Sequence, residues 1–318
     1  MSIVEEAVKS WPEVIRSFLK KFPGVELPVK EPRSIVISGI GSSAAGGLFL
    51  EPISPVPVVI SRDVVLPRFV SPKDLVLICS YSGNTPETLL SLRDALARGI
   101  NPVVLTSGGK LLSVAEELGL PLVKIEPGGY TSRAMVGLII TATIATVDPI
   151  VNARNLLEKV PDVLAWAIKD EENIRSIALR IGGRAIVSVG YGPYKPGMKR
   201  IVAEFRENSK LPAFYVELPE GNHNYYVTLG HPGVIHLYPE HERRSSLAKH
   251  AFRLNDKEHV PIRVSNRGFL GNFEILIKAA LSSIRLARLL GRDPDDIRAI
   301  EEIKKKFLEE MKDVFKRI

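Results

Sequence analysis

The chain has 318 residues, 45% hydrophobic and 25% charged, which is the composition of a soluble globular protein long enough for two domains with full cores. A net charge of +7 from scattered basic residues, without an arginine-rich arm or zinc-finger spacing, argues against nucleic acid and suits an anionic small substrate. The single cysteine, Cys79, excludes an internal disulfide and a cysteine-cluster metal site.

The N-terminal residues lack a basic region followed by an apolar core, so no secretory signal is expected. Apolar runs at 35–38, 56–60, 75–79, 103–106 and 122–125 read as strands, with helical stretches between several of them, as at 88–98 and 111–118. That alternation predicts an α/β fold with a mostly parallel sheet covered on both faces. The longest apolar run, 135–147, is too short to span a bilayer and lies in an expected buried helix, 133–147. No membrane partner is expected, and a cytoplasmic location follows.

In the second half a long helical region, 151–181, leads into strands at 185–189, 213–216, 234–238 and 262–264. Helices fit 198–208, 245–254 and 269–290; Gly291 to Pro294 breaks the chain, and 295–316 forms a last amphipathic helix. Arg33 to Gly41 is echoed by Arg184 to Gly192, each an apolar strand ending in Gly-x-Gly. The echo predicts a duplicated α/β domain, divided into 1–150 with a leading helix and 151–318 with a terminal one.

The densest chemistry is Ser80-Tyr81-Ser82-Gly83-Asn84-Thr85-Pro86-Glu87-Thr88, between an apolar strand and a helix opening at Pro86. Free N–H groups and the positive dipole of a helix start favour an anion; Ser80, Ser82 and Thr85 add hydroxyl donors and Gly83 allows close approach. The motif reads as a phosphate cradle. The plainer reading is that Asn84 or Thr85 caps the helix while Glu87 complements its dipole.

Gly39-Ile40-Gly41-Ser42-Ser43-Ala44 fits a dinucleotide fingerprint, and Asp63 lies near where a ribose-binding acid belongs. A nicotinamide-dependent enzyme is therefore an alternative, although such a site does not call for the serine-rich turn. A non-catalytic sugar-phosphate sensor is a third reading. In the second half Pro193 and Tyr194 follow the Gly-x-Gly turn and would hinder a phosphate.

Together, the Gly39 to Ser43 turn and the Ser80 to Thr88 motif resemble a sugar isomerase (SIS) domain, and two in tandem resemble the phosphoglucose isomerase superfamily. Ser132-Arg133-Ala134, Glu207-Asn208-Ser209-Lys210-Leu211-Pro212-Ala213 and Glu220-Gly221-Asn222-His223-Asn224 narrow the match. They are similar to the short, largely archaeal bifunctional phosphoglucose/phosphomannose isomerases, over the stretch from about Arg33 to the C-terminal helix. The Ser80 motif alone means only an SIS domain; the block from Glu207 to His223 is more specific.

The resemblance implies interconversion of glucose 6-phosphate, mannose 6-phosphate and fructose 6-phosphate through a cis-enediol(ate), with no metal or organic cofactor. It implies Glu207 as the base moving a proton between C1 and C2; without it, Glu207 reads as a solvated carboxylate near a helix C-terminus. His223 matches the ring-opening residue, reaching the neighbouring subunit's site in a homodimer. Arg133 matches the cation beside the enediolate, against the plain reading of a surface arginine at a helix start. Gly41, Ser42, Ser43, Ser80, Ser82 and Thr85 are expected to hold the substrate, chiefly its phosphate. Lys304 matches a lysine that helps ring opening, although with Lys305 and Lys306 it also reads as a solvated charge run. Asp295 follows Pro294 near where the family commonly has Thr, a departure that bears on phosphomannose activity.

Overall fold

A computed structural model describes residues 2–126, 128–225, 230–241, 246–254 and 257–310. The chain sorts into two compact units, one of Glu13–Glu158 with Asp296–Ile318 and the other of Met1–Pro12 with Lys159–Asp295. Each unit thus combines most of one half of the chain with a segment from the far end of the other.

Helix α1 (Ile3–Lys21) opens the chain, its first residues in the second unit and its last in the first. The sheet of the first unit contains β1 (Ile35–Ser38), β2 (Val58–Ser61), β3 (Leu75–Cys79), β4 (Val103–Thr106) and β5 (Leu122–Lys124). All pairs are parallel, in the order β2-β1-β3-β4-β5. Strands β1, β3 and β4 are buried throughout, as a sheet covered on both faces requires. Strand β2 starts at Val58 rather than 56, because Pro57 has no N–H for the ladder, although its carbonyl still accepts from Ile35 N at 2.9 Å.

The helices here are α2 (Ala45–Leu50), α3 (Pro86–Ala97), α4 (Gly109–Glu117), α5 (Val136–Thr146), α6 (Asp148–Val151) and α7 (Arg154–Leu157). Every residue of α5 is buried. Its polar side chains are satisfied internally: Thr141, Thr143 and Thr146 donate to carbonyls four residues back at 2.8–2.9 Å.

The second unit repeats the plan. Helices α8 (Val160–Ile168) and α9 (Glu171–Ile181) precede β6 (Ala185–Gly190), α10 (Lys195–Glu204), β7 (Ala213–Glu217) and β8 (Val234–Glu240). Then come α11 (Ser246–Leu254), β9 (His259–Arg263) and α12 (Gly268–Leu289). Its parallel order, β7-β6-β8-β9, matches the first four strands of the other sheet, with β1 and β6 as equivalent first strands. The echo between Arg33–Gly41 and Arg184–Gly192 falls on those two strands and the turns after them.

The helical region expected over 151–181 is made of successive helices, the end of α6 followed by α7, α8 and α9. Asn152 ends α6 in the left-handed region, Pro161 sits in the first turn of α8, and Asp170 caps α9 by accepting from Asn173 N at 3.2 Å. Strand β9 begins three residues before the expected 262 and contains Pro261, which its edge position tolerates. The last helix, α13 (Arg298–Glu310), belongs to the first unit; 311–316 of the expected 295–316 helix lie outside the described residues, as does Ser245 of the expected 245–254 helix.

Asp295 has a structural task. Its two carboxylate oxygens accept from Ile3 N and Val4 N, each at 2.9 Å, and so cap α1. Asp295→Ala should therefore cost about 1 kcal/mol of stability, read as an earlier urea transition. An unmoved transition would remove the cap from the account.

Candidate active site

In the order β2-β1-β3-β4-β5 the chain leaves β1 toward one sheet edge and returns at β3 to build toward the other. Such a switch point opens a crevice at the carboxyl ends of the two strands, where ligands of open α/β sheets bind. The Gly41 to Ser43 turn follows β1 and the Ser80 to Thr85 turn follows β3, so both expected binding segments meet there.

Gly41 (φ +60°) starts a short 3₁₀ turn, Gly41–Ala44, that buries Ser42 and Ser43. Ser43 Oγ accepts from Tyr81 N at 3.1 Å and so ties one turn to the other. Ser80 Oγ donates to Thr85 Oγ1 at 3.1 Å, while exposed Ser82 accepts from Asn84 N at 3.4 Å. Thr85 stands at the N-cap of α3 yet makes no capping bond, and Asn84 Oδ1 instead accepts from Lys110 N at 2.9 Å. The capping reading of these two side chains is therefore corrected. The first turn of a 12-residue helix is left without a side-chain cap, beside the bonded hydroxyls of Ser80 and Thr85, and a helix start of this kind favours an anion.

Gly83 acts differently from expectation. Its φ is +67°, and a Cβ there would lie 1.7 Å from the carbonyl oxygen of Gly108, so the close approach is to protein backbone. The turn after β4 locks the cradle: Ser107 N and Oγ both donate to Tyr81 O, at 2.9 and 2.6 Å, and Leu111 N donates to Gly83 O at 2.9 Å. Sequence reasoning missed Thr106, Ser107 and Lys110; the signal was the small-residue run Thr106 to Gly109 directly after a strand.

Arg133 lies in the turn leading into α5 and is only 6% exposed, so the surface reading fails. It stands three residues ahead of the first residue of α5, an 11-residue helix. Lys304 is exposed on α13 together with Lys305 and Lys306, and α13 packs against α3. Asp63 is also exposed, with Oδ1 accepting from Val64 N at 2.7 Å. The dinucleotide-like turn passes into the 3₁₀ turn and the six-residue α2, not into a long helix.

In the second unit, α10 ends in a π-helical turn, Phe205–Ser209, that carries half-buried Glu207. Such turns recur at functional sites. Lys210, left-handed at φ 57°, ends it. Behind Glu207 lies a buried pair, Arg200 and Glu204 at 2.9 Å, with Asn208 Nδ2 donating to Glu204 Oε2 at 3.4 Å and to Ser283 Oγ at 3.0 Å. No sequence motif announced this network. His223 is exposed just past the short turn Glu220–Asn222, with its N–H on Glu220 O at 3.0 Å. The crevice at the β6/β8 switch point is occupied by tyrosines: the Tyr191 hydroxyl donates to Pro239 O, and Tyr194 and Tyr238 are buried.

The structure thus bonds the two turns carrying Gly41, Ser42, Ser43, Ser80, Ser82 and Thr85 into one cluster. Arg133 and Lys304 belong to the same unit, Glu207 and His223 to the other. Among the described residues, no group of three or more His, Cys, Asp or Glu could hold a metal, and no helix is long and apolar enough to cross a membrane.

Residues 170–307 match the family described as bacterial phospho-glucose isomerase C-terminal SIS domain. A bifunctional phosphoglucose/phosphomannose isomerase of Aquifex aeolicus (strain VF5) is 32% identical over 301 residues, covering 86% of this chain and 89% of that one. The chain belongs to the bifunctional phosphoglucose/phosphomannose isomerase family. A D-glucosamine-6-phosphate 4-epimerase of Sulfolobus acidocaldarius is 30% identical, covering 93% of this chain and 95% of its own. The fold is also that of the C-terminal domain of glucosamine-fructose-6-phosphate aminotransferase from Francisella tularensis, with TM-score 0.75, 16% identity, and 92% and 98% of the two chains covered.

Proposed function

We propose that the protein is an aldose–ketose isomerase that interconverts glucose 6-phosphate and mannose 6-phosphate with fructose 6-phosphate. The observation that carries this reading is the helix start without a side-chain cap, flanked by the two bonded serine turns at the β1/β3 switch point, in a member of this isomerase family. The phosphate binds Ser42, Ser43, Ser80, Ser82, Thr85 and the backbone N–H groups around them, with Gly41 against the substrate.

His223, assisted by Lys304, opens the sugar ring by moving the proton between the ring oxygen and the anomeric hydroxyl. Glu207 takes the proton from C2 of the open aldose while the C1 oxygen gains one, giving the cis-enediol(ate). Returning the proton to C1 as the C2 hydroxyl loses its own completes the ketose. Oxidation at C2 balances reduction at C1, so this route needs no nicotinamide; with Arg133 as the cation, no metal enters it. Arg133 stabilises the negative oxygen of the intermediate. The active form in this reading is a cytoplasmic homodimer in which His223 serves the neighbouring subunit's site.

The test is fructose 6-phosphate formation from glucose 6-phosphate and from mannose 6-phosphate, in excess chelator and without nicotinamide. Glucosamine 6-phosphate is incubated in parallel and its products resolved by NMR. Turnover of both hexose phosphates is expected. A C4-epimerised amino sugar alone would replace this reading with that of the Sulfolobus relative, whose similarity is the reason to include it. Ser82→Ala should raise KM about tenfold with kcat nearly unchanged, because an exposed hydroxyl donating to phosphate is uniform binding. An unchanged KM would take Ser82 out of the cradle.

A further inference from the structure

The segment that carries His223 is exposed from Asn222 to Asn224, yet it is fastened to the sheet two residues later. Tyr225 N donates to Gly221 O at 3.0 Å, closing the turn. The Tyr225 hydroxyl lies 2.6 Å from Nε2 of His236, a buried residue of β8. His236 Nδ1 lies 2.9 Å from Glu258 O. A carbonyl can only accept, so Nδ1 carries the proton and Nε2 accepts from the tyrosine. Burial pushes the His236 imidazole down to about 4, which keeps that lone pair available at neutral pH. Lys257, itself buried, holds its ammonium 5.0 Å from the centre of the Tyr225 ring.

We propose that Tyr225 and His236 are positioning residues: their hydrogen bond fixes the turn that presents His223 for ring opening. The catalytic part of this proposal rests on the isomerase reading above. Gly221 adds to the anchorage, since a Cβ there would lie 2.6 Å from Val216 Cγ1, so the turn sits directly on β7. Among the described neighbours of His223 in the chain, Tyr225 is bonded to a strand inside the sheet, β8.

Tyr225→Phe removes one O–H and keeps the ring. Hydrogen exchange at the amides of residues 220–225 should quicken at least tenfold in this variant, whatever reaction the protein catalyses. Unchanged exchange overturns the anchorage. With glucose 6-phosphate, Tyr225→Phe should lower kcat about tenfold with KM within about threefold, and add no further loss in a His223→Ala background. A full further loss there would mean that Tyr225 does not act through His223, and would overturn the proposal.

Because Tyr225→Phe leaves Nε2 of a buried imidazole without its donor, Tyr225→Phe/His236→Phe is the companion variant; replacing both partners by apolar groups restores stability. The kcat loss should persist in it. Recovery of activity along with stability would show a merely structural pair and overturn the proposal. Absence of isomerase turnover in the wild type would strike the reading of the function and, with it, the catalytic part; the exchange result would still decide the anchorage.

Discussion

Glu207→Gln is expected to lower kcat by about 10²–10⁴-fold with KM within about threefold, as removal of a general base does. The substitution keeps the shape and the hydrogen-bonding atoms of the side chain and deletes only its basicity. The network behind it, Arg200, Glu204, Asn208 and Ser283, uses other atoms and should survive, so the melting temperature should hold. The sharper readout is isotopic. In heavy water the wild type should wash deuterium into the sugar at the carbon that receives the proton, and the variant should not. Retained turnover, or retained exchange, would take Glu207 out of the role of base.

Arg133→Met should lower kcat/KM by about 10²–10³-fold, the scale for losing a preorganised group that stabilises developing negative charge. The guanidinium is buried in the turn leading into α5, so the melting temperature is read alongside the kinetics. An unchanged or higher melting temperature beside lost activity would mark Arg133 as retained for chemistry. Full activity would dismiss it from the site, and loss of the folded state would make it structural.

The parts of the fold that could be read in advance are those where local pattern and tertiary burial agree. Strands β1, β3 and β4 are short apolar runs buried on both faces, and their expected bounds coincide with the observed ones. Proline misled twice in opposite senses: Pro57 delayed β2, while Pro261 lies inside the edge strand β9. The adjacency of the two serine-bearing turns was legible because each directly follows one of the two strands at the switch point. The meaning of Gly83 was not, because the atom it makes room for, Gly108 O, lies in a different turn. The π turn around Glu207 was invisible for a similar reason: nothing in the order Phe205 to Ser209 distinguishes it from an α-helical end, and it is accompanied by contacts to α12 through Ser283.

The exchange of chain ends between the two units bears on how the protein is made. Residues 13–158 leave the ribosome with both serine-bearing turns already encoded, but α13, which packs against α3, follows only after the whole second sheet. Domains that fold as they are synthesised ordinarily close in order. Here α13 can join the earlier domain only after the later one has been translated, so the part of α3 that it packs against has no partner there in the nascent chain until then. A ribosome stalled in that interval would leave a product with both serine-bearing turns synthesised and α13 missing.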